Sequence, residues 1–537
     1  MKKLMINGCA RACLALAFAG AAAFAGAADV TMSRDLQWTY SGTEAFETPA
    51  NWTWSTTSSD PIETCPGAVD TVRFKGAPAS GSDMTVTMNA DAVVSNFIYE
   101  AGAKKGTIVN LSSHTLTVSN NLSVSSYLGQ SALTFKDGRI LLPGSQTGTK
   151  STYGQLNEDA SGFFMNRMAA DAYGGINLVF DNASLVATNS PYETTLQAKS
   201  LSGCADRILL LNGASWTLKN FKLKNTTEDA PVDFVASGEG TSLTVAESLT
   251  FDHKTRISFT FKDGAELHAG RLYSTYAYNA ASNSIVTLNG GTHTLANINA
   301  SYETGACLLT KTDLVVMNKA ALTAEGQVQI RSSSSITVCE GGTFTTPGIM
   351  SIGRQDWDNQ KANFHGNSSL VVDDGRVSAG RLMFGSRAEN SNNCLRVVGS
   401  LSRVEQNDAK LYGQQTGVAL NYGTKVAFEI PSTGYCDADG AARAPVYSAG
   451  DFRSETADGC RPISLELTTK AFDKANPKKA ITLMQAGANS TTVFETLIAN
   501  ATWVDNPLNH GELSVSEDGL SLVYTAPTPK GLLLIVR

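Results

Sequence analysis

Arg354, Asp356, Trp357 and Asp358 place a cation, two carboxylates and an indole within five positions. An exposed aromatic ring beside carboxylates suits a sugar: the ring stacks on a pyranose face and the oxygens accept hydroxyl hydrogen bonds. The plainer alternative is a tryptophan that covers an apolar surface. Asp437-Ala438-Asp439-Gly440 opens as a calcium loop does, but lacks the third oxygen donor and closing Glu of an EF-type loop. Calcium is the one cofactor suggested, through Asp437 and Asp439. Cys436 and Cys460 bracket the same polar stretch and form the candidate disulfide.

Other chemistry-bearing residues are spread thinly. The histidines (His114, His253, His268, His293, His365 and His510) fall singly, without the paired spacing that a metal or a general base with its orienting partner needs. Asp373-Asp374 is a carboxylate pair, but it sits where neighbouring repeats have ordinary turns. No GxSxG elbow, phosphate-cradling loop or dinucleotide fingerprint is present. Trp38, Trp52 and Trp54 cluster near the start, either as a glycan platform or as a cover for an open sheet end.

The first 27 residues read as a cleaved signal peptide. Met1-Lys2-Lys3 and Arg11 form a basic region, Cys13 to Phe24 an apolar one, and Ala25-Gly26-Ala27 a small-residue cleavage site. Sec-dependent export to the periplasm, cell surface or exterior is therefore expected. Without Lys2, Lys3 and Arg11 the 42 basic residues fall to 39, against 49 acidic ones, a net charge of −10. No basic stripe exists to displace counterions, so nucleic acid is excluded as a partner, and no later segment is long and apolar enough to span a membrane. Seven cysteines remain without a CxxC pair, which disfavours zinc.

What must position these residues is β-structure. Short runs alternate with period two, as in Thr85-Val86-Thr87-Met88, Leu116-Thr117-Val118 and Leu243-Thr244-Val245. Only the stretch around Phe163 to Tyr173 is expected to be helical. Strands end in an acidic or amide residue, usually followed by Gly: Asp137-Gly138, Asn182, Asn212-Gly213, Asp263-Gly264, Asn289-Gly290, Asn318, Glu340-Gly341 and Asp374-Gly375. These residues supply the positive φ of a tight turn.

From 212 the turns recur at 239, 263, 289, 318, 340, 374 and 399, in steps of 27, 24, 26, 29, 22, 34 and 25 residues. Antiparallel hairpins would turn every ~8–12 residues; steps in the twenties match one coil of a β-helix. The echo between Asp263-Gly264 … Ala269-Gly270-Arg271-Leu272 and Asp374-Gly375 … Ala379-Gly380-Arg381-Leu382 extends the repeat beyond the turn. The spacing predicts an all-β fold, a right-handed parallel β-helix (solenoid) over 81–425. An N-terminal cap over 28–80 precedes it and a β-rich domain over 426–537 completes or caps it.

Trp38-Thr39-Tyr40-Ser41-Gly42, Asn51-Trp52 and Pro66-Gly67-Ala68-Val69-Asp70-Thr71-Val72-Arg73-Phe74 resemble the opening of bacterial autotransporter-passenger-like proteins with β-strand repeats. Gly519-Leu520-Ser521-Leu522-Val523-Tyr524 resembles the end of such passengers, with no translocator barrel after it. The resemblance implies a surface-exposed adhesive or structural protein that contacts polysaccharide or cell-surface components. Oligomeric state is not legible. The competing expectation is a polysaccharide lyase or glycoside hydrolase, which would need Arg, Lys and carboxylate side chains from adjacent coils to converge. The motifs of pectin-degrading hydrolases are absent apart from Asp373-Asp374.

Overall fold

The computed structural model describes residues 34–528, apart from 40–42, 56–57, 59, 76–83, 102–105, 127–130, 144–161, 166–174, 189–193, 199–205, 226–230, 254–255, 275–282, 297–304, 332, 354–366, 386–391, 409–416, 422, 455–460 and 508. Within them the chain is all-β, with a 3-10 turn and two short α-helices, Lys470–Ala475 and Thr491–Ala499. Neither helix is long and apolar enough to cross a membrane.

The strands form three rows. The first runs from Thr43–Ala45 through Met84–Thr87 and Gly106–Asn110 to the leading halves of Ser131–Leu141 and Ile176–Ala187. It continues through Asp206–Leu211, Val232–Ser237, Ile257–Lys262, Ser284–Asn289, Thr312–Met317, Ser335–Cys339, Ser369–Asp373 and Cys394–Val398. Lys425–Glu429, Ser464–Thr468 and Ala501–Trp503 finish it. A second row takes the segment after each turn, such as Ser215–Leu218, Thr292–Leu295, Ala321–Ala324, Arg403–Gln406 and Val446–Ser448. A third contains Phe221–Asn225, Cys307–Thr310, Val328–Arg331 and Val418–Leu420. Pairing along all three rows is parallel, each strand with its counterpart about one repeat away. The rows pass residues 80 and 425 without a break.

Local chemistry explains the turns. Asp137, Asn182, Asn212, Asp263, Asn318, Glu340 and Asp374 all adopt φ between 50° and 57°, where Asn and Asp are tolerated better than branched residues. Their side chains then ladder from repeat to repeat. Asn182 Nδ2 donates to Asp137 Oδ1 at 2.9 Å, Asn212 Nδ2 to Asp181 Oδ1 at 2.6 Å and Asn318 Nδ2 to Asn289 Oδ1 at 3.0 Å.

The Ala-Gly-Arg-Leu echo marks the corner between the second and third rows. Glu266–Ser274 and Arg376–Phe384 each run through it as one strand, and two consecutive residues face inward there, Ala269-Gly270 and Ala379-Gly380. The flip re-aims the alternation onto the next face. A Cβ on Gly270 would lie 2.2 Å from Glu247 O, and one on Gly380 2.1 Å from Pro347 O, so neither position admits a side chain without backbone movement.

Inward side chains stack across repeats into one core. In the N-terminal part an unbroken chain of rings runs from Trp38 through Phe74, Phe97, Phe135, Phe180, Trp216, Phe234, Phe259 and Phe261 to His293, with successive centroids 4.4–6.0 Å apart. Further on the inward columns are mostly aliphatic: Leu314, Ile336, Leu370, Leu395 and Val426 stack in register, all buried.

Antiparallel pairing among the described strands is confined to the ends. Asp35–Trp38 pairs with Trp52–Trp54, and Ser521–Thr525 pairs with both Ala480–Ala486 and Glu512–Val515. The helix expected from Phe163 is corrected where it can be seen. Gly162–Met165 is a third-row strand parallel to Asn121–Val124, and Phe163 is buried against Trp216. A partner strand on each side overrides local preference; residues 166–174 lie outside the described set.

Candidate functional site

Three guanidinium groups converge on one buried carboxylate, and this is the densest charge cluster among the described residues. Arg376 and Arg403 open consecutive second-row strands and are register partners, while Glu405 lies two residues beyond Arg403 on the same face. Arg443 arrives from the connection between Lys425–Glu429 and Val446–Ser448. Glu405 Oε1 accepts from Arg403 Nε at 2.8 Å and Arg443 Nη2 at 2.9 Å. Glu405 Oε2 accepts from Arg376 Nε at 3.0 Å and Nη2 at 2.5 Å.

Exposure divides the cluster into a floor and a rim. The Glu405 and Arg403 side chains are 6% and 11% exposed, those of Arg376 and Arg443 57% and 41%. Arg403 also donates to Ala444 O and lies over the Tyr447 ring, 5.4 Å from its centroid. Burial by itself raises the Glu405 carboxyl; the Arg403 and Arg376 hydrogen bonds and charges outweigh it, and the net shift is downward. Burial lowers Arg403, opposed by Glu405 and reinforced by repulsion from Arg443 and Arg376, so its net shift is also downward.

The arrangement limits the chemistry available. Four N–H groups fill the acceptor sites of Glu405, so the carboxylate is held ionised and cannot take a substrate proton without breaking them. Against three guanidinium charges it leaves a local surplus of two.

The residues singled out in the sequence fare differently. Arg354, Asp356, Trp357 and Asp358 lie outside the described residues, beyond Gly353 at the end of Thr343–Ile352. Asp437 is described, and its Oδ1 accepts the Asp439 and Ala441 N–H groups at 3.1 and 2.9 Å, closing its own loop. No group of three His, Cys, Asp or Glu side chains stands close enough to hold a metal among the described residues. Cys436 is a half-buried free thiol whose N–H donates to Ser400 O, while Cys460 lies outside the described residues.

Asp374 is a turn residue: its N–H donates to Ser402 Oγ at 2.8 Å and its Oδ1 accepts from Leu401 N at 2.9 Å. Its neighbour Asp373 ends the strand, with its carboxyl raised by partial burial and by the charges of Asp374 and Glu429. Trp38 and Trp52 are buried edge to face, 5.0 Å apart, with Trp52 Nε1 bonded to Phe46 O at 2.9 Å; they close the core and present no platform. Asp70, from the Asp-Thr-Val-Arg-Phe stretch, is also structural. It accepts from Arg34 N, Nε and Nη2 and from Gly67 N. Burial raises its carboxyl, but these bonds bring it below its ordinary value.

His293 is buried, with Nδ1 accepting from Leu267 N at 3.1 Å, which leaves Nε2 to donate to Gly290 O at 2.8 Å. Burial lowers its pKa, the Gly290 bond opposes this, and His268 adds to the lowering; the net shift is downward.

No family model matches this chain, and no curated protein matches it either. The arginine cluster went unread in the sequence. Its one legible trace is that Arg376 and Arg403 each follow a repeat turn by a few residues; nothing in the sequence marks Arg443 as their companion.

Proposed function

We propose that the protein is an exported, non-catalytic structural or adhesive protein built as a right-handed parallel β-solenoid, and that it works by contacting glycans along its outer strand faces. The observation that carries the reading is the saturation of Glu405. At the densest convergence of Arg and carboxylate side chains among the described residues, the one carboxylate of the cluster is spent on its arginines while the Arg376 and Arg443 side chains stay exposed. That arrangement favours binding over proton transfer. The three rows of parallel strands suit the solenoid, because stacked repeats provide long faces and protruding connections instead of one deep pocket.

The test is product release and binding on the same samples. The purified protein is incubated with neutral and acidic polysaccharides, with and without calcium, and assayed for new reducing ends and for unsaturated uronate absorbance. Association with a subset of the glycans, without release above a heat-denatured control, is the expected result. Release well above that control would overturn the reading in favour of a lyase or hydrolase.

A further inference from the structure

We propose that the second-row face around Arg376, Arg443 and Tyr447 is a recognition site for an acidic polysaccharide, a glycan chain carrying carboxylates at regular intervals. This rests on the glycan-contacting reading and names the ligand class. One buried carboxylate is balanced by one guanidinium, yet Glu405 gathers three. The surplus is not buried away: the more exposed two of the three arginines carry it, and among the described residues Glu405 is the hydrogen-bond partner of each side chain. Guanidinium edges left open and held rigid from behind are suited to bidentate carboxylate binding.

The surroundings fit a sugar better than a bare ion. Tyr447 is the register partner of Glu405 in the next strand, half-buried, with the Arg403 guanidinium lying over one face of its ring. It offers a surface for a pyranose face. In the other direction the same column continues with Ser378 and then Thr345, and Asn407 Nδ2 donates to Ser378 Oγ at 2.6 Å. The column crossing the strands thus runs Thr345, Ser378, Glu405 and Tyr447, at about 4.8 Å per strand, with Asn407 and the three arginines flanking it. That interval is close to the length of one sugar unit in an extended chain, so successive sugars meet successive strands.

The experiment uses the full chain and three probes: polygalacturonate, the same polymer fully methyl-esterified, and inorganic sulfate as a competitor. Binding is read by affinity electrophoresis and calorimetry. Polygalacturonate binds, its ester does not, and sulfate displaces it only weakly. Arg376→Gln and Arg443→Gln each leave Glu405 with two guanidiniums, and each weakens binding by roughly tenfold, the loss of about one charge-assisted hydrogen bond. Tyr447→Ala weakens it by a smaller factor.

Melting curves superimposable on the parent's show that each variant folds; should Arg443→Gln melt early, Arg376→Gln alone decides. Unchanged binding in a folded Arg376→Gln variant would overturn the proposal, as would equal binding of acid and ester, and the latter would leave the glycan-contacting reading standing. Sulfate bound as tightly as polymer would reduce the face to a simple anion site and also overturn the proposal. Binding of no polysaccharide, neutral or acidic, would overturn this proposal and the broader reading together.

Discussion

The run of repeats from Phe74 to His293 and the run from Cys307 to Ser448 share rows, turns and corners but carry opposite chemistry. In the first run the ring-to-ring chain occupies the core, and the ion pairs beyond Glu100 are mostly surface contacts such as Lys219–Glu247 and Lys262–Asp263. In the second run the core is largely aliphatic, and the outer face holds a buried carboxylate under three arginines. The backbone scaffold is therefore indifferent to what fills or faces it. Aromatic contacts in the first run are concentrated inside, while the charge cluster of the second stands on the outer face.

Removing a central ring tests the difference most severely. Trp216 touches Phe163, Phe180, Phe221 and Phe234. Trp216→Ala is expected to cost about 3–5 kcal/mol and Leu370→Ala, at an equally buried aliphatic position, about 2–5 kcal/mol, with the larger loss at Trp216 because four rings lose contact with it. Denaturant midpoints measure both. Equal losses would mean that the ring chain adds nothing beyond volume.

Glu405→Gln probes the outer cluster. It removes the charge that holds Arg403 in a half-dry position, at an expected cost of about 1–3 kcal/mol. The parent's own contribution from Glu405 should also depend on acid. Its carboxyl is depressed in the folded state, so its stabilisation is complete above the ordinary carboxylate range near pH 4.3 and fades as pH falls below it. Melting curves from about pH 6 to about pH 3 should converge for parent and variant at the acid end; parallel curves would sink the assignment.

A milder pH effect belongs to the first run. His293 is neutral when folded and its pKa is depressed, so the unfolded chain binds the proton more tightly. Its contribution is complete above about pH 6.5 and is lost as pH drops below that value. The melting temperature should decline between about pH 7.5 and about pH 5.5, and His293→Asn should flatten the decline. An identical slope in the variant would exclude His293 as the source.

The smallest effect is expected at a feature common to both runs. Asp263 and Asp374 hold φ of 57° and 51° at corresponding turn positions, but the Asp374 carboxylate accepts a backbone N–H, that of Leu401 in the next repeat, whereas that of Asp263 accepts from the Ser237 hydroxyl. Replacing Asp263 with Gly should stabilise by up to about 1 kcal/mol through relief of strain. The same change at Asp374 should gain less or reverse sign. Matching changes at the two sites would show that the carboxylate bond is idle.

What could be read in the sequence followed the range of the interaction. Turn residues were legible because positive φ is decided within two or three residues, and Asn212-Gly213 or Asp263-Gly264 announce it by type. Among the described residues, thirteen first-row strands run from Met84–Thr87 to Lys425–Glu429, most of them one turn interval apart. The Gly-Arg-Leu echo was visible, but not its cause, because the backbone that excludes a side chain at Gly380 comes from Pro347 in the preceding repeat. The arginine cluster was least legible: its partners lie 29 and 38 residues from Glu405, and one of them sits in a connection that keeps no repeat. The stretch around Phe163 to Tyr173 was open to a helical reading because a short apolar run such as Phe163-Phe164-Met165 carries no periodicity that separates a strand from a helix.

The short separation between paired first-row strands, from 22 to 45 residues, has a consequence for how the chain comes to be folded. Among the described residues, sixteen first-row strands are joined by fifteen successive pairings, and apart from the first and a few longer steps each bridges about one repeat. Loop-closure entropy is thus met in small, nearly equal instalments instead of one long search. A chain emerging slowly from one end meets each strand's partner already in place. It can zip up behind its own leading edge, and the time needed grows with its length in a simple, additive way.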